Sequence, residues 1–317
     1  MIPTERRPFF GLHMPNYTNP GVPDDQLFGR VIAQAQAAEA AGFELVTVMD
    51  HFYQIRGVGP ETDPMLESYS VLAAIAASTK RVSLGTLVAG VTYRNPALLA
   101  KTVTTLDIIS GGRAIFGIGA AWNESEHDGY GFEFPPIGKR MDRLGEALTI
   151  AKLMFTEERP SFEGQYYRID QALNRPRPIQ VGGPPIMIGG MGERRTLRFA
   201  AEYADLTHWF PASVEELKHK VDVLTEHCEA VGRDPSTIVR TMGAPVIPVA
   251  HESEAAALLE RIPPERRASL VIGTPERVAE HLSTYIAAGF TGFTFGNTML
   301  RSIESIGLAG ETLRLLA

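Results

Sequence analysis

Apolar residues along this chain fall into short runs separated by longer stretches with helical spacing, and the two alternate from one end to the other. Pro8-Phe-Phe-Gly-Leu-His-Met14 reads as a first strand, and from Asp24 to Ala41 the apolar positions recur three and four apart until Gly42 closes the stretch. Glu44–Asp50 is a second strand. Asp63-Pro64, an N-cap aspartate followed by an N1 proline, predicts a helix running to Thr79. Val82–Val88 is a third strand, and Asn95-Pro96 opens a helix that stops at Gly111-Gly112. The fourth strand begins at Arg113 and runs through Gly117-Ile-Gly119 into a turn, where Asn123 and Glu126 have the spacing of an N-cap and its N3 partner.

A helix from Gly138 to Glu157 follows, and Ser161–Asp170 alternates like a small hairpin turned at Glu163-Gly164. The cycle resumes with a strand over Pro185–Gly190, a helix over Glu193–Ala204, a strand over Asp205–Phe210 and a helix from Ser213 to Val231. Two more strands lie within Val239–Val249 and Phe290–Phe295, each followed by a helix, the first of these beginning near Thr274-Pro275. About eight strand–helix units in 317 residues predict an α/β protein, one (β/α)8 TIM barrel domain over 1–317 with insertions at about 157–184 and 250–270. An open doubly wound sheet is the alternative. Against it, no strand runs into G-x-G-x-x-G with an acidic residue some 20 positions later, and Gly117-x-Gly119 is half such a motif.

The 30 basic and 37 acidic residues leave a charge of −7 without a long run of either sign, so neither a nucleic acid nor a membrane surface is expected as a partner. One cysteine, Cys228, excludes an internal disulfide and reads as a buried, inert thiol. The polar start Met1-Ile-Pro-Thr-Glu-Arg-Arg lacks the apolar core of a signal peptide, and no apolar run reaches the roughly 18 residues of a membrane span. A cytoplasmic protein is expected.

In a barrel the active site lies where the strands end. That selects His13, Asp50 and His51, Leu87 to Ala89, Gly119 to Asn123, Gly189 to Gly192, His208 and Asn297. Asp50-His51 is the strongest polar pair, because a carboxylate beside an imidazole can tune a proton donor near neutral pH. Neighbouring residues on a strand face opposite ways, so one of the two should look into the barrel mouth. Ile188-Gly-Gly-Met-Gly-Glu-Arg-Arg195 puts glycines before a helix N-terminus, where free N–H groups and two arginines would attract an anion such as phosphate. Glu124, Glu126 and His127 read as a solvated first helical turn, with Glu126 capping, rather than as a metal site. There is no G-x-S-x-G and no P-loop.

Five stretches together resemble the luciferase-like monooxygenase superfamily, in particular its oxidoreductases that use the deazaflavin coenzyme F420. They are Val48-Met-Asp-His-Phe52, Leu84-Gly-Thr-Leu-Val88 leading to Tyr93-Arg-Asn-Pro96, Leu106-Asp-Ile-Ile-Ser-Gly-Gly-Arg113, Gly117-Ile-Gly-Ala-Ala-Trp-Asn-Glu124, and Ile188-Gly-Gly-Met-Gly-Glu-Arg-Arg-Thr-Leu197. The resemblance implies a barrel with the tricyclic ring in its mouth, and a bulge after the third strand whose non-prolyl cis peptide, Leu87–Val88, supports the ring. It further implies that Asp50 and His51 approach the reactive ring, that Leu87, Val88, Ala89, Gly119, Ala120 and Asn123 contact the coenzyme, and that Gly189, Gly190, Met191 and Gly192 form the phosphate-binding turn. Two departures narrow the reading. Ala120 stands where bacterial luciferases carry a basic residue for the FMN phosphate, and Trp122 where F420-dependent sugar-phosphate dehydrogenases carry an acidic catalytic residue in the same turn.

The expected activity is hydride transfer between the deazaflavin C5 and a small organic substrate, with His51 exchanging a proton and Asp50 touching the ring. A reduced-FMN monooxygenase using O2 is the close rival, and a flavin-binding barrel without turnover is the rival from another class. A homodimer is also expected, because the helix Met65–Ser78 carries Leu72, Ala73, Ala74, Ile75, Ala76 and Ala77, apolar or small almost all round. Relatives of the superfamily often pair through the helices after the second and third strands.

Overall fold

The strands of the barrel, in chain order, are β1 (Phe9–Met14), β2 (Leu45–Val48), β3 (Ser83–Thr86) with its continuation β4 (Ala89–Gly90), and β5 (Phe116–Gly119). After a hairpin of β6 (Phe162–Glu163) and β7 (Arg168–Ile169) come β8 (Ile186–Gly189), β9 (Leu206–Trp209), β10 (Val239–Gly243) and, past the outlying β11 (Val246–Pro248) and β12 (Val271–Gly273), β13 (Gly292–Gly296). The structure, a computed structural model, describes residues 7–19, 21–262, 267 and 270–316. The first six residues of the N-terminal stretch, and part of the expected 250–270 excursion, lie outside the described residues.

All barrel pairings are parallel, in the order β3-β2-β1-β13-β10-β9-β8-β5-β4. The ring closes where Leu84 bridges to Ala114: Leu84 N–H donates to Arg113 O at 2.9 Å and Ile115 N–H donates to Leu84 O at 2.8 Å. Parallel strands are buried on both faces, which is why they appear in the sequence as short apolar runs. Inward, Phe9, Leu45, Ile115, Met187 and Leu206 fill the lower barrel; outward, residues such as Phe10, Val46, Phe116, Ile118 and Phe293 pack beneath the helices. Above the apolar plug the inward positions shrink. A Cβ on Gly117 would lie 2.0 Å from Thr86 O, so only glycine lets β3 and β5 approach there.

The helices are α1 (Leu27–Ala40), α2 (Ser68–Ser78), α3 (Pro96–Ser110), α4 (Glu124–Tyr130), α5 (Ile137–Thr156), α6 (Thr196–Tyr203), α7 (Val214–Ala230), α8 (Glu252–Arg261), α9 (Pro275–Ala287) and α10 (Ile303–Leu316). Asn95 caps α3 as its sequence signal predicts, its side chain accepting from Ala97 N–H at 2.9 Å, and Gly111 ends that helix in the left-handed region. Ser213 likewise caps α7, and Thr274-Pro275 open α9, but at two other helices the start signals mislead. The helix after β2 starts at Ser68, not at Pro64, because Glu67 accepts from Ser70 N–H at 2.7 Å and is itself held by Arg94. The helix after β8 starts at Thr196 instead of Glu193, since residues 193–195 form a turn closed by Leu197 N–H on Gly192 O. The single strand expected within Val239–Val249 is two: Pro245 cannot donate to the ladder, so β10 ends and β11 pairs with β12 outside the barrel. Among the described residues no helix is long and apolar enough to cross a membrane.

Candidate active site

The glycine-rich upper barrel leaves a cavity of about 490 Å3 at the C-terminal ends of the strands. Its floor carries two histidines on inward positions of β1 and β9. His13 Nδ1 is 3.0 Å from Thr47 Oγ1, and His208 Nδ1 is 2.8 Å from Thr241 Oγ1. Burial holds both imidazoles neutral, pushing His13 down to about 4 and His208 to about 3 from the usual 6.5.

The chain leaves β2 at Val48, so the Asp50-His51 pair does not follow strand alternation, which predicted one of the two at the mouth. Both residues border the cavity, yet the Asp50 oxygens are occupied. Ser68 Oγ donates to Oδ1 at 2.7 Å, Gly90 N–H donates to Oδ2 at 3.2 Å, and Arg94 Nη1 lies 3.0 and 2.7 Å from the two. Asp50 therefore ties β4 and the Leu87–Val88 bulge, whose peptide is cis, to the end of β2. His51 takes the other direction. Its Nδ1 is 2.6 Å from Oε1 of Glu126, a carboxylate with no solvent exposure.

Glu126 corrects the sequence reading most sharply. The spacing from Asn123 made it a capping residue, and with Glu124 and His127 it read as part of a solvated turn; instead Glu126 and His127 are both fully buried. Asn123 sits at the N-cap without a side-chain cap bond, its Oδ1 accepting from Ser125 Oγ at 3.3 Å. Glu126 accepts from His51, from Tyr93 OH at 2.5 Å and from Phe52 N–H at 2.7 Å. Burial alone would raise its carboxyl, and those donors outweigh burial, so the group sits below the ordinary carboxylate range. Tyr93 is pushed far above its usual value by burial and by that carboxylate. The phenol and the Phe52 amide are thus donors onto an ionised Glu126, and His51 Nδ1–H is a third; Nε2 remains for a bound molecule. His127 turns away, to Thr92 Oγ1 and Asn123 O, each at 2.6 Å.

The turn after β5 brings Trp122 against the His51 ring, centroids 5.5 Å apart at 68°. Ala121 has φ +61, a left-handed conformation that costs a non-glycine residue free energy. Its carbonyl is held by Arg140 Nη1 at 2.7 Å, a guanidinium stacked 4.0 Å over Phe134. The glycines of this strand end do not face open space: a Cβ on Gly119 or Gly189 would lie 2.8 or 2.7 Å from Val88 Cγ2. They seat the bulge, and the bulge in turn forms the cavity wall.

Of the residues selected from the sequence, His13, Asp50, His51, Leu87, Val88, Ala89, Gly119, Ala120, Ala121, Trp122, Gly189, Gly190 and His208 line this cavity. Asn123 lines a neighbouring recess with Gln54 and Glu61, on the far side of Trp122. Met191 packs against the main core and Gly192 lies beyond the cavity lining. Asn297 is buried, donating to Asn16 O at 2.6 Å and Gln34 Oε1 at 3.3 Å. Gly190 has φ +110 and donates to His208 O at 2.9 Å, while Arg195 is paired with Asp142 at 2.6 Å and Gly138 O at 3.0 Å. Glu126, Tyr93 and Arg94 escaped notice as site residues because their partners lie far off in sequence; His51 and Glu126 are 75 residues apart.

The structure is a parallel (β/α)8 barrel with a bulged third strand and a histidine bordering a cavity at the strand ends. The chain belongs to the luciferase-like monooxygenase family, whose model matches residues 10–266. It is 32% identical over 300 residues to the F420-dependent glucose-6-phosphate dehydrogenase of Kineococcus radiotolerans, covering 84% of this chain and 86% of that one. Among solved structures it is similar to an F420-dependent secondary alcohol dehydrogenase in complex with an F420-acetone adduct (TM-score 0.83, 20% identity, 98% and 99% of the two chains). It is also similar to the FMN-bound oxygenating constituent of 3,6-diketocamphane monooxygenase from Pseudomonas putida (TM-score 0.77, 18% identity, 97% and 98%).

The buried groups set the acid stability. Below pH 6.5 the unfolded chain protonates His13 and His208 while the folded chain does not, so the unfolded state binds more protons and stability falls as pH drops towards 4. Glu126 acts in the same direction: its depressed value stabilises the fold above pH 4.5, and that contribution is lost as pH falls further. Thermal melts between pH 7.5 and 4.5 should show Tm declining, and His208→Gln should flatten the upper part of the decline. A Tm independent of pH over that interval would contradict the assignment of neutral buried imidazoles.

Proposed function

We propose that the protein is an F420-dependent oxidoreductase that moves a hydride between the deazaflavin and a small organic substrate, with His51 carrying the accompanying proton. The observation that carries this reading is His51 itself, fixed by a buried carboxylate at Nδ1 and bordering an apolar cavity beside the bulge. The residues fit a flat tricyclic ring. The cavity is of small-molecule size, and Val88, seated on Gly119 and Gly189, offers it an apolar face. Leu87, Val88, Ala89, Gly119 and Ala120 would hold the ring, and the Gly189–Gly192 turn its phosphate-bearing tail. When bound, the coenzyme supplies a carbon centre that accepts or donates hydride.

The chain's own residues orient and exchange the proton. Glu126 fixes the His51 tautomer, Tyr93 and Phe52 N–H fix Glu126, and Asp50 with Arg94 fixes the bulge. A reduced-FMN monooxygenase remains the second reading, favoured by similarity to the FMN-bound structure; Ala120, with no charge to offer a flavin phosphate, speaks for F420. Titration with both coenzymes, followed by fluorescence, tests the choice: F420 should bind, and tight FMN binding without F420 binding would end the F420 reading. Gly190→Val should weaken coenzyme binding while sparing turnover of the bound fraction, because a β-branched residue cannot adopt φ +110 without strain.

We further propose a cytoplasmic homodimer. Ala77 on α2 and Leu98 and Ile109 on α3 are exposed, Leu98 by 59%, and α2 packs on α3. Light scattering at micromolar concentration should give twice the chain mass, and Leu98→Glu should shift it towards the monomer. A monomer mass for the unaltered protein would count directly against the pairing.

A further inference from the structure

We infer that the substrate is an uncharged alcohol or carbonyl compound with an apolar body, and that phosphorylated sugars are excluded; the inference rests on the oxidoreductase reading above. Among the described residues that line the cavity there is no lysine and no arginine. Several guanidiniums near the site lie outside that lining: Arg94 pairs with Asp50 and Glu67, Arg140 donates to Ala121 O and lies over the Phe134 ring, Arg195 pairs with Asp142, and Arg56 borders the separate recess beyond Trp122. The floor histidines are neutral and offer hydrogen bonds without charge. Beside the mouth the carboxylates of Asp50 and Glu67 pair with Arg94, and Glu126 pairs with His51, so these charged groups are already matched. A phosphate dianion would enter a desolvated site whose lining holds no lysine or arginine to pair with it, whereas an uncharged molecule meets no such penalty.

The walls point the same way. Trp122, Phe210, Pro211, Pro245 and Met299 complete the mouth and present hydrocarbon. The Thr241 hydroxyl donates its only proton to Thr207 O at 2.7 Å, so it accepts from His208 Nδ1–H, leaving His208 Nε2 as an acceptor on the floor. Neutral imidazoles on the floor and one proton-exchanging imidazole in the wall of a mostly apolar cavity suit a hydroxyl or carbonyl on an apolar frame. In the oxidative direction the carbinol C–H bond breaks and its electron pair passes as hydride to the oxidised deazaflavin. The O–H bond breaks, its proton passes to His51, and a C=O bond forms; reduction runs the same steps backwards.

The test starts with F420 binding, read by coenzyme fluorescence. A panel of secondary alcohols and ketones with alkyl or aryl bodies is then compared with glucose 6-phosphate. Turnover is measured on the F420-loaded enzyme, and binding on the coenzyme-free protein by calorimetry and by quenching of Trp122, which is 57% exposed at the mouth. The uncharged compounds should bind saturably in both assays, with kcat/KM exceeding that for the sugar phosphate by about 10²-fold or more. Phe210→Lys, on a rim residue 69% exposed, should raise affinity for the sugar phosphate and lower it for aryl ketones. Equal or better binding or turnover of glucose 6-phosphate by the unaltered protein overturns the inference. So does F420 binding with no uncharged compound bound or turned over. Failure to bind F420 sinks the oxidoreductase reading instead, and calorimetry on the coenzyme-free protein still decides the charge preference.

Discussion

Replacing His51 by alanine is expected to lower kcat by about 10²–10⁴-fold, the usual contribution of a positioned general acid or base, while coenzyme affinity changes little. Hydride transfer to or from a carbon bearing oxygen leaves charge on that oxygen unless a proton moves with it, and His51 is the group held for that exchange. Its ring is fixed on one side by Glu126 at 2.6 Å and packs in a T-shaped contact with Trp122. Coenzyme affinity should instead come from burial of the ring against Leu87–Ala89 and from the Gly189–Gly192 turn. Steady-state kinetics beside a coenzyme titration separate the two effects. Full turnover in His51→Ala, or a loss explained wholly by weaker coenzyme binding, would make His51 a wall residue.

Glu126→Leu is expected to destabilise the fold by about 3–5 kcal/mol, the range for removing one partner from a buried charged network. The substitution strips an acceptor from three buried or half-buried donors at once: His51 Nδ1, the Tyr93 hydroxyl and the Phe52 amide. Leucine has nothing to offer them, and each orphaned donor bears its own desolvation cost. Glu126→Gln keeps the volume and one acceptor oxygen, so it should cost less stability yet still lower kcat, because an amide can donate as well as accept and no longer pins the His51 tautomer. Urea unfolding of both variants with kcat at fixed pH checks this. If Glu126→Gln kept full kcat, Glu126 would be a structural carboxylate with no bearing on the proton, whatever Glu126→Leu did to stability.

What the sequence determined by itself is local. The alternation of apolar runs with helical spacing marked the eight-unit barrel, because strands buried on both faces and helices buried on one leave different periods in the chain. Asn95-Pro96 and Gly111 bounded α3, since cap, first-turn proline and left-handed glycine act through their immediate neighbours. The strand-end rule likewise picked out His13, Asp50, His51 and His208 without any contact being known.

Only the tertiary structure decided which of these polar groups work together. Asp50 turns to Arg94 and the bulge while His51 takes Glu126, a partner on a helix two strands round the barrel that the local spacing had assigned to capping. Gly119 and Gly189, expected as a coenzyme contact and as part of the phosphate-binding turn, are glycines because Val88 occupies the space, and Asn123 falls outside the cavity because Trp122 stands between. The reason is physical: a period or a cap reports the free energy of one element, whereas a buried carboxylate's partners are set by which strands close the barrel, and that closure joins residues many tens of positions apart.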